Sequence, residues 1–320
     1  GREIGMMSKY GGGTSAFLGN IRPRGSEIST GGFADGPIHY ARIYDTVVDV
    51  CKQSEARRGA CAVYLPVEHP DISEFLDIGT EGNPIQNLQY GVTVTDQWME
   101  EMKSGDRKKR KVWAKIIQRR SEFGYPYIMF KDNTNNNSPY KDIGLEITAS
   151  NLCSEIQLPT DSYNSFVCCL GSINLLHWDE IKETDAVQTY VYFLNAVMDE
   201  FIIKSETMPG MKRAYNFAEK HRAIGLGVLG YHSLFQSKLI DFESLEAKQL
   251  NSEIFRTIKD RSEIASRKLS SEYGYSSLRE GYANTTLMAI APTKSSSFIH
   301  GAVSMGIEPI KSNYFIKDLA

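Results

Sequence analysis

Residues 151–156 of this 320-residue chain read Asn-Leu-Cys-Ser-Glu-Ile, with an amide, a thiol and a carboxylate at alternate positions. In an extended segment successive side chains point to opposite faces, so positions i, i+2 and i+4 share one side. Extended, the stretch aims Asn151, Cys153 and Glu155 one way and Leu152, Ser154 and Ile156 the other. A hydrogen-bond donor, a sulfur and a proton acceptor then face one small object. The competing reading is a half-buried strand whose polar face meets water.

A second chemical candidate is Pro292-Thr293-Lys294-Ser295-Ser296-Ser297, which follows an apolar run at 285–291. A strand ending in a hydroxyl-rich loop can cradle a phosphate, because backbone N–H groups, hydroxyls and a lysine all donate. Its alternative is a serine-rich surface loop. Gly225-Leu226-Gly227-Val228-Leu229-Gly230 matches the dinucleotide spacing, but that fingerprint needs a strand before it. The lead-in at 216–222 reads as helix, so close helix packing through small residues is expected instead. Arg107-Lys108-Lys109-Arg110-Lys111 reads as a solvated helical face that begins a turn before Val112 and Trp113.

Composition narrows the classes. Hydrophobic residues make up 41% and charged residues 23%, with a net charge of −3. This is globular composition without the basic excess of a general nucleic-acid binder. No apolar run of about 18 residues suggests a membrane span, and no secretory signal opens the chain. The cysteines are Cys51, Cys61, Cys153, Cys168 and Cys169, without a CxxC, and the six histidines are scattered. A reducing, cytoplasmic setting and no protein-built metal site are expected. The chain starts at Gly1 and stops in mid-pattern, as a fragment or a split-gene product would.

The elements that must position these residues alternate. Helical spacing covers 37–53, 95–104, 107–124, 184–205 and 241–273, the last as one or two helices. On the 184–205 helix, Val187, Val191, Phe193, Leu194, Val197, Met198 and Phe201 mark the apolar side. Strands are expected at 62–65, 126–130 and 285–291, a strand then a helix across 166–176, and a loop at 132–138. Residues 5–36 are too rich in glycine and serine to be regular throughout, and serve either as ligand-approaching loops or as a flexible tail. The alternation argues an α/β fold with parallel pairing.

Taken together, Asn151–Ile156, VCCLGSINL at 167–175, RAIGLGVLG at 222–230 and APTKSSSFIHGAVSMGIEP at 291–309 resemble the large, catalytic subunit of class I ribonucleotide reductase. The resemblance covers essentially the whole chain, and its wording is similar to that of enzymes from large tailed bacteriophages. It implies a ten-stranded α/β barrel of two five-stranded halves, present here in part, with a central finger loop carrying the radical cysteine. Residues 1–320 would form one catalytic barrel domain incomplete at both ends: effector loops and first helices over 1–65, active-site barrel over 66–320.

The resemblance also implies roles. Cys153 matches the cysteine whose thiyl radical takes the 3′ hydrogen of the ribose, and Asn151 and Glu155 match the residues that bind and deprotonate the ribose hydroxyls. Cys168 matches one of the two reducing thiols, leaving Cys169 as a packed core thiol; the second reducing thiol has no match. Pro292, Thr293, Lys294, Ser295 and Ser296 match the substrate-phosphate loop, and Arg57 an arginine that reaches the substrate. Ile21, Arg22 and Gln53 fall in effector-binding loops, although Arg58 and Ser29 depart from the usual pattern. No covalent cofactor is implied. Deoxynucleoside triphosphate or ATP effectors with Mg2+ are, together with a metal-containing small subunit that generates the radical. Thioredoxin or glutaredoxin as reductant, a homodimer and the remaining large-subunit segments complete the implied partners, and the chain alone is expected to be inactive. The alternatives are a nucleotide-binding noncatalytic remnant, a hydrolase or transferase with Cys153 as nucleophile, and a glycyl-radical enzyme.

Overall fold

The structure is a computed structural model that describes residues 1–51 and 59–314. The chain divides into two compact units, residues 1–160 and 161–320.

In the first unit four strands, β1 (Gly13–Phe17), β2 (Ala60–Pro66), β3 (Leu88–Val94) and β4 (Tyr127–Phe130), form one parallel sheet in the order β1-β2-β3-β4. Helices α1 (Arg2–Lys9), α2 (Pro37–Val50), α3 (Ile72–Phe75), α4 (Asp96–Lys103), α5 (Arg107–Phe123) and α6 (Lys131–Asn136) accompany it. Parallel neighbours require crossovers, and α2 and the α4–α5 pair lie in those connections. Side-chain alternation divides β2 between two environments. Cys61, Val63 and Leu65 join a core with Ile38, Ala41 and Val48 of α2, Trp98 of α4 and Ile116 of α5. Ala62 and Tyr64 face the other way, onto Ala149, Leu152, Phe17 and Tyr127.

Local signals explain the helix ends. Asp106 caps α5 by accepting from the Lys108 and Lys109 N–H groups at 2.9 and 3.0 Å, and Gly124 ends it in the left-handed region. The basic run 107–111 is the first turn of this helix: Lys109 pairs with Glu101, and Arg110 donates to the Met102 and Lys103 carbonyls. The loop expected at 132–138 is instead largely helix α6. Asp132 Oδ2 accepts from the Asp96 N–H at 2.6 Å, and the Asn135 amide brackets Ile147, accepting from its N–H at 2.8 Å and donating to its carbonyl at 2.9 Å. Those tertiary bonds override the weak helix propensity of an Asn-rich run.

In the second unit β5 (Cys169–Asn174) pairs in parallel with β6 (Ile224–Leu229). Around them run α7 (Trp178–Ile181), α8 (Ala186–Glu206), α9 (Lys212–His221), α10 (Tyr231–Ser237), α11 (Leu245–Tyr273) and the short α12 (Ser296–Ile299). The stretch 225–230 is therefore mostly strand rather than a helix-packing seam, with α9 as its helical lead-in. Its glycines admit close neighbours: a Cβ at Gly227 would run into the Ala289 carbonyl. The strand expected at 285–291 is reduced to one bridge, Leu226 to Met288. Hydrogen bonds from Ile224 to Thr286 and from Leu226 to Leu287 nevertheless lay it beside β6. On α8, Val187, Val191, Leu194 and Met198 are buried as expected, whereas Phe193 and Val197 face solvent.

Among the described residues the named strands form a four-stranded and a two-stranded sheet and no closed barrel. No described helix is long and apolar enough to cross a membrane.

Candidate active site

Asn151–Ile156 is a closed turn and not the extended segment expected from its alternation. The Asn151 N–H donates to the Ile156 carbonyl at 3.0 Å, and the Ile156 N–H donates to Asn151 Oδ1 at 2.9 Å. The Ser154 N–H reaches back to the Asn151 carbonyl at 3.4 Å, and Ser154 adopts a left-handed φ of 70°. Loop closure, rather than a shared face of an extended strand, gathers residues 152–155 into one small loop. Leu152 is its anchor: a Cβ at Gly13 of β1 would lie 2.6 Å from Leu152 Cδ2, so glycine there admits the side chain.

The loop's polar groups are sorted by their bonds. Ile156 N–H needs an acceptor, so the Asn151 amide must turn its oxygen inward and its NH2 group away, leaving the latter to donate. Cys153 is exposed. Glu155 is half-buried, and its Oε2 is buried without a hydrogen-bond partner. A carboxylate oxygen held this way is an acceptor in waiting. Beneath the loop, the Tyr64 hydroxyl donates to the Asn151 carbonyl at 3.0 Å, and burial pushes its pKa up. Burial raises Tyr127 on β4 likewise, with the nearby Cys153 acting in the same direction.

The second unit holds the other candidates. Cys169 packs against the helical core, and burial pushes its thiol up to about 11. Cys168 takes the opposite side of the chain, where a Cβ at the neighbouring Gly225 would lie 3.3 Å from its Sγ. Pro292–Ser297 leaves the segment beside β6 and turns into α12. Thr293 is buried with φ 49°, and its Oγ1 accepts from the Gly306 N–H at 2.7 Å. The buried Ser297 hydroxyl donates to the Lys294 carbonyl at 3.0 Å. These two hydroxyls shape the loop, while Lys294 and Ser295 are exposed and Ser296 and Pro292 are half-buried.

Ile21 and Arg22 lie in a loop of the first unit that is held by residues following β2. The Ile21 carbonyl can only accept, so His69 Nε2, 3.0 Å away, donates, and His69 Nδ1 accepts from the Asp71 N–H at 3.1 Å. Arg22 is exposed and donates to the Glu27 carbonyl at 3.0 Å. Gln53 and Arg57 lie outside the described residues.

The structure therefore brings Asn151, Cys153 and Glu155 into one loop of the first unit, and carries Cys168 and the 292–297 loop in the second. The supports of the turn, Tyr64, Gly91 and Gly13, carry no motif of their own in the sequence. The one available signal was that residues 60–66 are apolar on both faces, as a strand covered from both sides would be.

A family model described as ribonucleotide reductase, barrel domain, matches residues 1–109, 102–278 and 275–320. The chain is 30% identical over 394 residues to a ribonucleoside-diphosphate reductase large subunit of Invertebrate iridescent virus 3, covering 99% of this chain and 61% of that protein. It is 32% identical over 351 residues to a vitamin B12-dependent ribonucleoside-diphosphate reductase of Thermoplasma acidophilum, covering 99% and 44%. The solved Actinobacillus ureae class Id ribonucleotide reductase alpha subunit superposes with a TM-score of 0.92 at 52% identity, covering 98% of this chain and 59% of that one. The chain thus spans about three fifths or less of the length of these relatives. With a family model matched from end to end and the same fold at high identity, this chain belongs to the ribonucleotide reductase barrel-domain family.

Proposed function

We propose that this chain is the barrel portion of a ribonucleoside-diphosphate reductase large subunit, which reduces ribonucleotides to deoxyribonucleotides through a thiyl radical. The observation that carries the reading is the closed turn 151–156. It combines an exposed thiol, an amide whose oxygen is held within the turn and whose NH2 group is left to donate, and a buried carboxylate oxygen without a partner. Cys153, as a thiyl radical, takes the hydrogen from C3′ of the ribose. Glu155 takes the 3′ hydroxyl proton, the role for which a buried acceptor is suited, and the Asn151 NH2 group donates to the ribose hydroxyls. The 2′ hydroxyl leaves as water. Two thiols supply two electrons and close to a disulfide, so ribonucleotide plus dithiol becomes deoxyribonucleotide, disulfide and water. Cys168 is one of these thiols, and its partner comes from outside the matched positions.

The 292–297 loop holds the substrate phosphates through Lys294, Ser295, Ser296 and backbone N–H groups, with Pro292 and Thr293 shaping it. Arg57 reaches the substrate, and Ile21, Arg22 and Gln53 bind a deoxynucleoside triphosphate or ATP effector with Mg2+. The whole chain is one catalytic barrel domain, with 1–65 supplying effector loops and 66–320 the active-site part of a ten-stranded barrel. In it the 151–156 turn is the central finger loop. The 52% identity to a class Id alpha subunit, against 32% to the B12-dependent relative, favours a radical delivered by a separate metal-containing small subunit. A homodimer and thioredoxin or glutaredoxin complete the cycle.

The test is reconstitution. The chain, the remaining large-subunit segments, the small subunit and a dithiol are incubated with a ribonucleoside diphosphate. Deoxynucleoside diphosphate that forms only when the small subunit is present supports the reading; no product from the complete mixture contradicts it.

A further inference from the structure

One buried polar atom reaches the 151–156 turn from the sheet, and the reaction just described gives it no part. Tyr64, in the middle of β2, is fully buried, and its hydroxyl donates to the Asn151 carbonyl at 3.0 Å. That carbonyl is also the acceptor of the turn's own bond from the Ser154 N–H, which at 3.4 Å is long, and Ser154, the donor, is a non-glycine residue with φ 70°. The Asn151–Ile156 bonds at 3.0 and 2.9 Å close the ends of the loop, but the inner turn from Asn151 to Ser154 rests on this long bond and a left-handed Ser154, so it gains from outside support. The sheet supplies it rigidly. The Tyr64 ring lies over Gly91 of β3, where any Cβ would run into ring atom Cε1, and Leu152 occupies the space left at Gly13. Phenylalanine would fill the same space without a buried hydroxyl that must be satisfied. The oxygen therefore serves the turn and not the packing.

We propose that Tyr64 is a positioning residue for Cys153, whose hydroxyl holds the Asn151–Ser154 turn in the shape that presents the thiol to substrate. What the thiol meets rests on the function proposed above; what holds the turn does not.

The test is Tyr64→Phe, which keeps the ring. Amide hydrogen exchange on the chain itself is expected to speed up about tenfold at Ser154 and Ile156, with the β2–β3 ladder amides unchanged, about the loss of one hydrogen bond. In the reconstituted reductase, kcat is expected to fall about tenfold or more while KM stays within about twofold, since the orientation of the thiol is impaired and not the binding of substrate. Unchanged exchange at Ser154 and Ile156, or equal acceleration across the sheet, overturns the proposal. So does local acceleration with unchanged kcat. If Cys153→Ser retains turnover, the functional reading fails by itself, and the exchange data still decide whether Tyr64 holds the turn.

Discussion

Glu155 carries the sharpest residue-level claim. Its Oε2 is buried and has no hydrogen-bond partner, an arrangement that costs free energy unless a ligand completes it. Replacing Glu155 with Gln keeps the size and removes the proton acceptor. Substrate affinity, followed by equilibrium dialysis with the reconstituted enzyme, is expected to change by less than about threefold. Turnover is expected to fall by roughly a hundredfold or more, the usual weight of general base catalysis. Equal losses in affinity and turnover would assign Glu155 to binding alone. The residue types of this site were legible in the sequence, because Asn, Cys and Glu at alternate positions are chemically pointed. Their geometry was not. Alternation presumes an extended chain, and the turn depends on a left-handed Ser154 and on bonds to Ile156 that residue types do not announce.

At the scale of elements, the long helices were legible because caps and apolar spacing agree: Asp106 and Gly124 bound α5, and Ser244 and Gly274 bound α11. Helix α6 was hidden because Asn135 finds its partners in Ile147, a contact that local propensity does not contain. Strand β6 was hidden by its glycines, which serve the close approach of Ala289 and Cys168. The end of α9 yields a pH prediction. His221 is 2% exposed and stacks on Phe217 with centroids 3.9 Å apart. Burial lowers its pKa from 6.5 to about 4, with Lys220 adding to the effect. The native state therefore keeps His221 neutral where the unfolded chain is protonated. Stability from this group is complete above about pH 6.5 and declines as pH falls towards about 4, by at most on the order of 3 kcal/mol. Urea unfolding at pH 7.5 and 5.0 measures it. His221→Gln is expected to flatten that part of the difference, and an unaltered pH dependence would show that other groups cause it.

For the whole molecule, fold class followed from strands alternating with helices, and family from two motifs that are weak alone and specific together. The described strands form two parallel sheets, with the thiol-bearing turn on one unit and Cys168 and the hydroxyl-rich loop on the other. No single motif announces such a division of labour, because each unit's core is built from its own alternating strands and amphipathic helices. In the proposed function, turnover requires the Cys153 sulfur, for which a serine oxygen cannot substitute as a hydrogen-abstracting radical. The most direct measurement is deoxynucleoside diphosphate formation by the reconstituted reductase carrying Cys153→Ser, beside the unaltered enzyme. The account predicts product from the unaltered enzyme and none above background from the variant, with the variant still folded and still binding substrate. Turnover by Cys153→Ser at a rate comparable to the unaltered enzyme would contradict it.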